Sequence, residues 1–180
     1  MIGLAISSAR TAVRLRRRGI RPEGLVTSEG RPPIVQGGGR IALGRVAFRG
    51  LAAPAEIGAL AGGSLTVGDR VFVNQGATIV ATLAITIGDD CRIGDYVAIS
   101  DSDFHPVEEG RPVTRAPVDI GRNVWLARSA VVLPGARIGD HAVIAAGAVV
   151  RGEIPPRTLA AGSPARVIRS LQASDGWRRP

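Results

Sequence analysis

Residues 120–150 read IGRNVW LARSAV VLPGAR IGDHAV IAAGAV V when cut every six residues. An aliphatic residue opens each unit (Ile120, Leu126, Val132, Ile138, Ile144, Val150), and the fifth place holds Val124, Ala130, Ala136, Ala142 and Ala148. An amphipathic helix repeats its apolar face at three and four residues and an amphipathic strand at two, so a strict six belongs to neither. It belongs to a repeat architecture, with one short strand and one turn per unit. If three units close one triangular coil, each opening aliphatic points inward and stacks on the residue one coil later: Ile120 on Ile138, Leu126 on Ile144. Small residues at the fifth place suit a crowded corner. The block therefore predicts an all-β chain wound as a parallel β-helix.

Outward from this block the pattern weakens in both directions. VGDRVF, VNQGAT and IVATLA cover residues 67–84, and IGDDCR and IGDYVA resume the register at Ile87. Earlier, Leu43, Arg49, Ala55, Ala61 and Val67 keep the spacing but lose the aliphatic identity, which predicts irregular first coils. Residues 101–117, DSDFHPVEEGRPVTRAP, have charge, prolines and no period. They read as a loop extruded from the column, the kind of place where rigid scaffolds carry function.

The ends differ from the middle. Ile2, Leu4, Ile6, Ala9, Val13 and Ile20 lie among five arginines ahead of Gly19 and Pro22, which predicts a basic amphipathic helix. Two readings stand for it: a cap over the first coil, or a helix making peripheral contact with an anionic membrane surface. Beyond Val150, Pro155 and Pro156 end the regular coil, Ala165–Leu171 reads as a short closing helix, and 173–180 as a frayed end. The chain thus divides into an N-terminal helix and lead-in (1–32), the repeat with its loop (33–155) and a closing segment (156–180).

Composition narrows the function. At 180 residues one domain is expected, and aromatics at 3% leave the core to Ile, Val, Leu and Ala. The single cysteine, Cys91, allows no internal disulfide, falls at an inward fifth place and reads as a small buried hydrophobe. No apolar run spans a bilayer and no signal peptide is evident, so a cytoplasmic protein is expected. The net charge of +8 belongs to the two ends, and the arginine runs lack the aromatics or recognition motif of a nucleic-acid binder. Of the two histidines, His141 at a fourth place reads as a solvated corner residue. His105, in the extruded loop between Phe104 and Pro106, is the natural general base, with Asp101 or Asp103 as a partner to orient it.

Four stretches in order, VNQGATIV, DSDFHPVEEGRPV, the repeat block and IPPRTLAAGSPARVIR, resemble the maltose, galactoside and xenobiotic branch of the hexapeptide-repeat acyltransferases. The resemblance implies a left-handed coil and a trimer, with acetyl-CoA as co-substrate, no metal, and an acetyl group moved directly to a hydroxyl of a saccharide-like acceptor. Position by position, it makes His105 the base, puts Asn74 and Asp103 at the acceptor, and sets Trp125, Ala127, Ala146, Arg151, Arg166 and Arg169 along CoA. Departures are visible: Ala81-Thr82 stand where relatives carry acids, Ala127 where a Gly is common, and Arg151-Gly152 where Thr-Lys is frequent. Asn74 as a corner closure and Trp125 as a subunit-interface anchor remain open, as do an amine acceptor and a non-catalytic scaffold. A three-histidine metal enzyme is excluded by two histidines.

Overall fold

The computed structural model describes residues 2–180, with side chains from Ser8 onward. The expected side chains of Ile2, Leu4 and Ile6 on the N-terminal helix therefore lie outside the described residues.

Three sheets run along the molecule, one per side of a triangular column. The first has eight strands, from Val26–Gly30 to Arg166–Ser170; the second has six, from Ile34–Gln36 to Val149–Val150; the third has six, from Arg40–Leu43 to Glu153–Ile154. Successive strands visit the sheets in turn, and neighbours within a sheet are parallel, save for the last pair of the first sheet. The stacking expected from the six-residue period is observed. Ile120 pairs with Ile138, Leu126 with Ile144 and Val132 with Val150, and all six are 3% exposed or less. All five fifth-place residues from Val124 to Ala148 are buried as well.

The fourth place of each unit turns the corner. Arg70, Asp90, Asn123, Ser129 and His141 there all have φ between 54° and 62°, with Gly76, Gly135 and Gly147 in the same left-handed region. The second-place glycine has a different cause. The aspartate of the following coil caps the corner below: Asp140 Oδ1 accepts from Arg122 N at 2.9 Å, and Asp89 Oδ1 from Asp69 N at 2.8 Å. A Cβ on Gly121 would stand 2.3 Å from that Asp140 oxygen and 2.9 Å from the Asp140 nitrogen. Gly121→Ala should therefore destabilise by about 1–3 kcal/mol, the usual range for overpacking. Denaturant unfolding of the variant checks this, and an unchanged midpoint would refute it.

In the first coils the register changes. Val67 pairs with Ile87 and Val46 with Val71, spacings longer than the eighteen of the regular block, and the strands lengthen to match. Phe48 points inward there at 2% exposed, while Arg49 faces out and pairs with Glu29. The column begins at Val26, inside the span read as lead-in. Helix α1 (Ile2–Arg17) lies against that first strand. Leu15 and Thr11 on it are fully buried, Thr11 Oγ1 is 2.6 Å from Ser28 Oγ, and Arg14 donates to the Pro33 carbonyl at 3.2 Å. The helix covers the open end of the stack, whose edge donors and acceptors would otherwise face water. No described helix is long and apolar enough to cross a membrane.

The far end corrects two expectations. Ala165–Leu171 contains no helix; Arg166–Ser170 is a strand antiparallel to Thr158–Ala161. Seven residues with adjacent β-branched Val167 and Ile168 make a poor helix nucleus, and the exposed edge of the last coil offers a ladder to pair with. Residues 173–180 are not frayed either. They run back along the column, with carbonyls of Ala173, Asp175 and Trp177 taken by Arg157, Arg122 and Asn123 at 2.8, 2.7 and 3.0 Å.

Candidate active site

Strands end at Ser100 on the second sheet and resume at Val118 on the third, so the loop 101–117 leaves the corner between those sheets. Asp101 anchors it. This fully buried carboxylate accepts from Thr82 N at 2.7 Å, Thr82 Oγ1 at 2.9 Å and Leu83 N at 2.7 Å. Asp101 therefore holds the base of the loop and is not the partner of His105, which corrects one of the two candidates. Asp103 N donates to Thr114 O, Ala116 N to Asp101 O, and Ser102 bridges Arg115, closing the loop at its root. His105 follows Phe104, which is itself left-handed at φ 61°, and its backbone N–H donates to Asp103 O at 2.7 Å. The His105 side chain is exposed.

The other implied site residues fall into two groups. Asn74 and Trp125 line one groove of about 800 Å³ on the first sheet, together with Phe72, Arg92, Arg128 and the tail residues Trp177 and Arg179. Asn74 Oδ1 accepts from Gln75 N at 2.9 Å, so its oxygen closes the corner while its side chain borders the groove. Ala127 and Ala146 sit on the corner column that follows the first-sheet strands Trp125–Leu126 and Val143–Ile144. Arg169, with Trp125, lines a smaller cavity of about 290 Å³ beside the tail, and Arg166 lies on the same closing strand. Arg151, by contrast, stands between Val149–Val150 and Glu153–Ile154, on the corner that throws out the loop with Asp103 and His105. Within one chain the loop base and the groove thus occupy different corners of the triangle. A cavity of about 810 Å³ under α1, lined by Leu15, Ile20, Leu25 and neighbours, contains no acid, histidine or nucleophile.

His141 differs from its expectation. It is 0% exposed, stacks on Trp177 with ring centroids 6.5 Å apart, and its Nδ1 lies 2.8 Å from Asn123 Nδ2. Burial, and then Arg122 and Arg157, hold its pKa below the ordinary histidine value. The reason is the tail: a fourth-place side chain faces water only where nothing is laid over the corner. Cys91 is buried with its thiol on the Gly121 carbonyl at 3.1 Å, and burial pushes it up to about 12, so it is no nucleophile. Among the described residues no three His, Cys, Asp or Glu gather as a metal site. The residues that the sequence did not disclose are Trp177 and Arg179 in the groove wall. The only signal for them was that one of just two tryptophans fell in an aperiodic end.

Left-handed residues at the fourth places of the regular units, an aliphatic column and an extruded loop define a hexapeptide-repeat β-helix. Residues 117–152 match the family model of the bacterial transferase hexapeptide (six repeats). The chain is similar to acetyltransferases built on that repeat. It is 37% identical over 117 residues to the galactoside O-acetyltransferase of Escherichia coli, covering 63% of this chain and 58% of that one. A solved galactoside acetyltransferase in complex with coenzyme A is 39% identical, with a TM-score of 0.56 over 60% of this chain and 56% of the other. A hexapeptide-repeat acetyltransferase of Vibrio cholerae complexed with acetyl coenzyme A is 32% identical, with a TM-score of 0.56 over 61% of each. The chain thus spans a little over half the length of the galactoside O-acetyltransferase it matches.

Proposed function

We propose that the protein transfers an acetyl group from acetyl-CoA to a hydroxyl of a saccharide acceptor, with His105 as general base, in a site shared by neighbouring subunits of a trimer. The observation that carries the reading is the separation just described. A loop pinned by a buried carboxylate presents an exposed imidazole at one corner, while an aromatic and polar groove lies at another. Three columns around a threefold axis bring unlike corners together, which a single column cannot do.

In the reaction the acceptor oxygen attacks the thioester carbonyl carbon as the His105 ring takes its proton. Backbone N–H groups of the coil corners are the candidate donors for the developing oxyanion. Collapse expels the CoA thiolate, which regains a proton from the imidazolium. No acyl-enzyme forms, in keeping with the buried thiol of Cys91. Trp125, Ala127 and Ala146 would flank the pantetheine arm, and Arg151, Arg166 and Arg169 would meet phosphates. Relatives that carry coenzyme A support the donor.

The test is to incubate the purified protein with labelled acetyl-CoA and a panel of sugars, amino sugars and small amines, and to size it by light scattering. Alkali-labile ester product and a mass three times the 18.6 kDa chain are expected. Exclusively amide product would replace the hydroxyl acceptor with an amine, and an active monomer would remove the shared site.

A further inference from the structure

We infer that the exposed arginine face of helix α1 docks on the surface of an anionic phospholipid bilayer. The inference is independent of the acetyl-transfer reading and concerns the capped end of the column.

Arginine is common along this chain, but its distribution is uneven. Residues 33–150 hold ten arginines and eleven acids and stay close to neutral. Residues 1–32 hold seven arginines and two acids, and no acid precedes Glu23. Six of those seven, Arg10, Arg14, Arg16, Arg17, Arg18 and Arg21, fall within twelve residues, and all six are exposed. Glu29, one of the two acids, is already paired with Arg49 at 2.9 Å.

The packing of α1 decides where these charges point. Thr11 and Leu15 are fully buried where the helix meets Val26–Gly30, and at about 3.6 residues per turn that rotation turns Arg10, Val13, Arg16 and Arg17 away from the column. Capping and docking thus use opposite faces of one helix, so the two readings of this segment are compatible. Arg14, Arg16 and Arg17 stand in the last turn, where cations also suit the helix dipole. Arg10 and Arg21 lie outside that turn.

A face of one sign and this density attracts a polyanionic surface, and what lies beside it selects lipid. Val13 and Leu25 are 49% and 72% exposed among the arginines. The cavity under α1, about 810 Å³, joins Leu15, Ile20 and Leu25 to Arg16 and Arg21 in one lining. Apolar side chains with guanidiniums beside them suit an interface where phosphates overlie hydrocarbon. A nucleic acid fits less well. Residues 1–47 contain no aromatic on which a base could stack, and a duplex offers Val13 and Leu25 no hydrocarbon layer. In the proposed trimer a threefold rotation keeps all three caps on one side, so three copies of the face would meet the same plane.

Co-sedimentation of the purified full chain with vesicles of phosphatidylcholine, or of an equimolar mixture with phosphatidylglycerol, tests this at physiological and at high salt. The wild type should bind the mixed vesicles, ignore the neutral ones and be released by high salt, which shortens the reach of the charges. The triple variant Arg16→Gln/Arg17→Gln/Arg18→Gln should lose roughly a hundredfold in partitioning, about fivefold for each arginine near an anionic surface. A control triple, Arg111→Gln/Arg115→Gln/Arg137→Gln, removes the same net charge from exposed places on the loop and column and should bind like the wild type. No binding to the mixed vesicles at physiological salt, equal binding to neutral and mixed vesicles, or an equal loss in both triples would overturn the inference. So would short duplex DNA or RNA that displaces the wild type from the mixed vesicles, which would assign the face to a nucleic acid. The wild-type comparison needs no variant, and thermal unfolding shows whether each triple is folded.

Discussion

Alanine at position 105 is expected to reduce acetyl transfer by about 10²–10⁴-fold, the range that a positioned general base contributes. The change should leave the affinity for CoA and the unfolding midpoint almost untouched. The His105 side chain is exposed, and the loop around it is held from below by Asp101 with Thr82 and Leu83 rather than by the imidazole. Removing the ring therefore opens no cavity and strands no buried polar group. Steady-state rates, calorimetric titration with CoA and thermal unfolding check the three parts. A variant that keeps more than a tenth of the wild-type rate would take His105 out of the chemistry. Asp101→Ala makes the contrast. It should lower the rate and the stability together, because it leaves three donors without an acceptor in a buried place.

The column could be read from the sequence because its energetics repeat. Every inward place in residues 120–150 does one job, so the same residue class recurs at fixed intervals: Ile120, Leu126 and Val132 face in as Ile138, Ile144 and Val150 do one coil later. The extruded loop was legible for the converse reason, since 101–117 simply stop obeying that rule. In the first coils the strands are longer and the turns carry extra residues, so Arg49 falls where the period predicts an aliphatic while Phe48 does the packing. Nothing in a fixed six could show that shift.

What the pattern hid was contact between parts of the chain far apart in sequence. His141 obeys the corner rule in its backbone, with φ 62°, and yet is sealed from water by Trp177. Residues 173–180 have no period, and polar aperiodic ends usually fray. Here arginines on the corners take their carbonyls instead. The groove wall made by Trp177 and Arg179 was invisible for the same reason. Loop and groove residues could each be named from sequence, but not their segregation onto different corners, because corner membership depends on counting coils through the irregular region.

Asn123→Ala is expected to cost about 2–4 kcal/mol and to release the tail, the largest stability effect expected of a corner residue here. Asn123 Oδ1 accepts from Arg179 N at 2.9 Å, while Nδ2 donates to the Trp177 carbonyl at 3.0 Å and faces His141 Nδ1 at 2.8 Å. Two backbone partners thus fix the amide, so Nδ1 must accept and the proton of the neutral ring sits on Nε2. A charged ring would turn Nδ1 into a donor facing another donor. The folded state accordingly depresses the His141 pKa below 6.5, and the sign of the pH effect follows. This contribution is complete above pH 6.5 and is lost as pH falls below it, at up to about 1.4 kcal/mol per pH unit until the folded-state pKa is reached. Denaturant unfolding at pH 7.5 and 5.5 should show the loss in the wild type and a smaller one in His141→Asn, a residue that tolerates the left-handed corner. Trypsin cutting after Arg178 should accelerate in Asn123→Ala, with red-shifted Trp177 emission. A tail that stays protected in that variant, or an equal pH slope with and without His141, would show that the latch is not what holds residues 173–180 against the column.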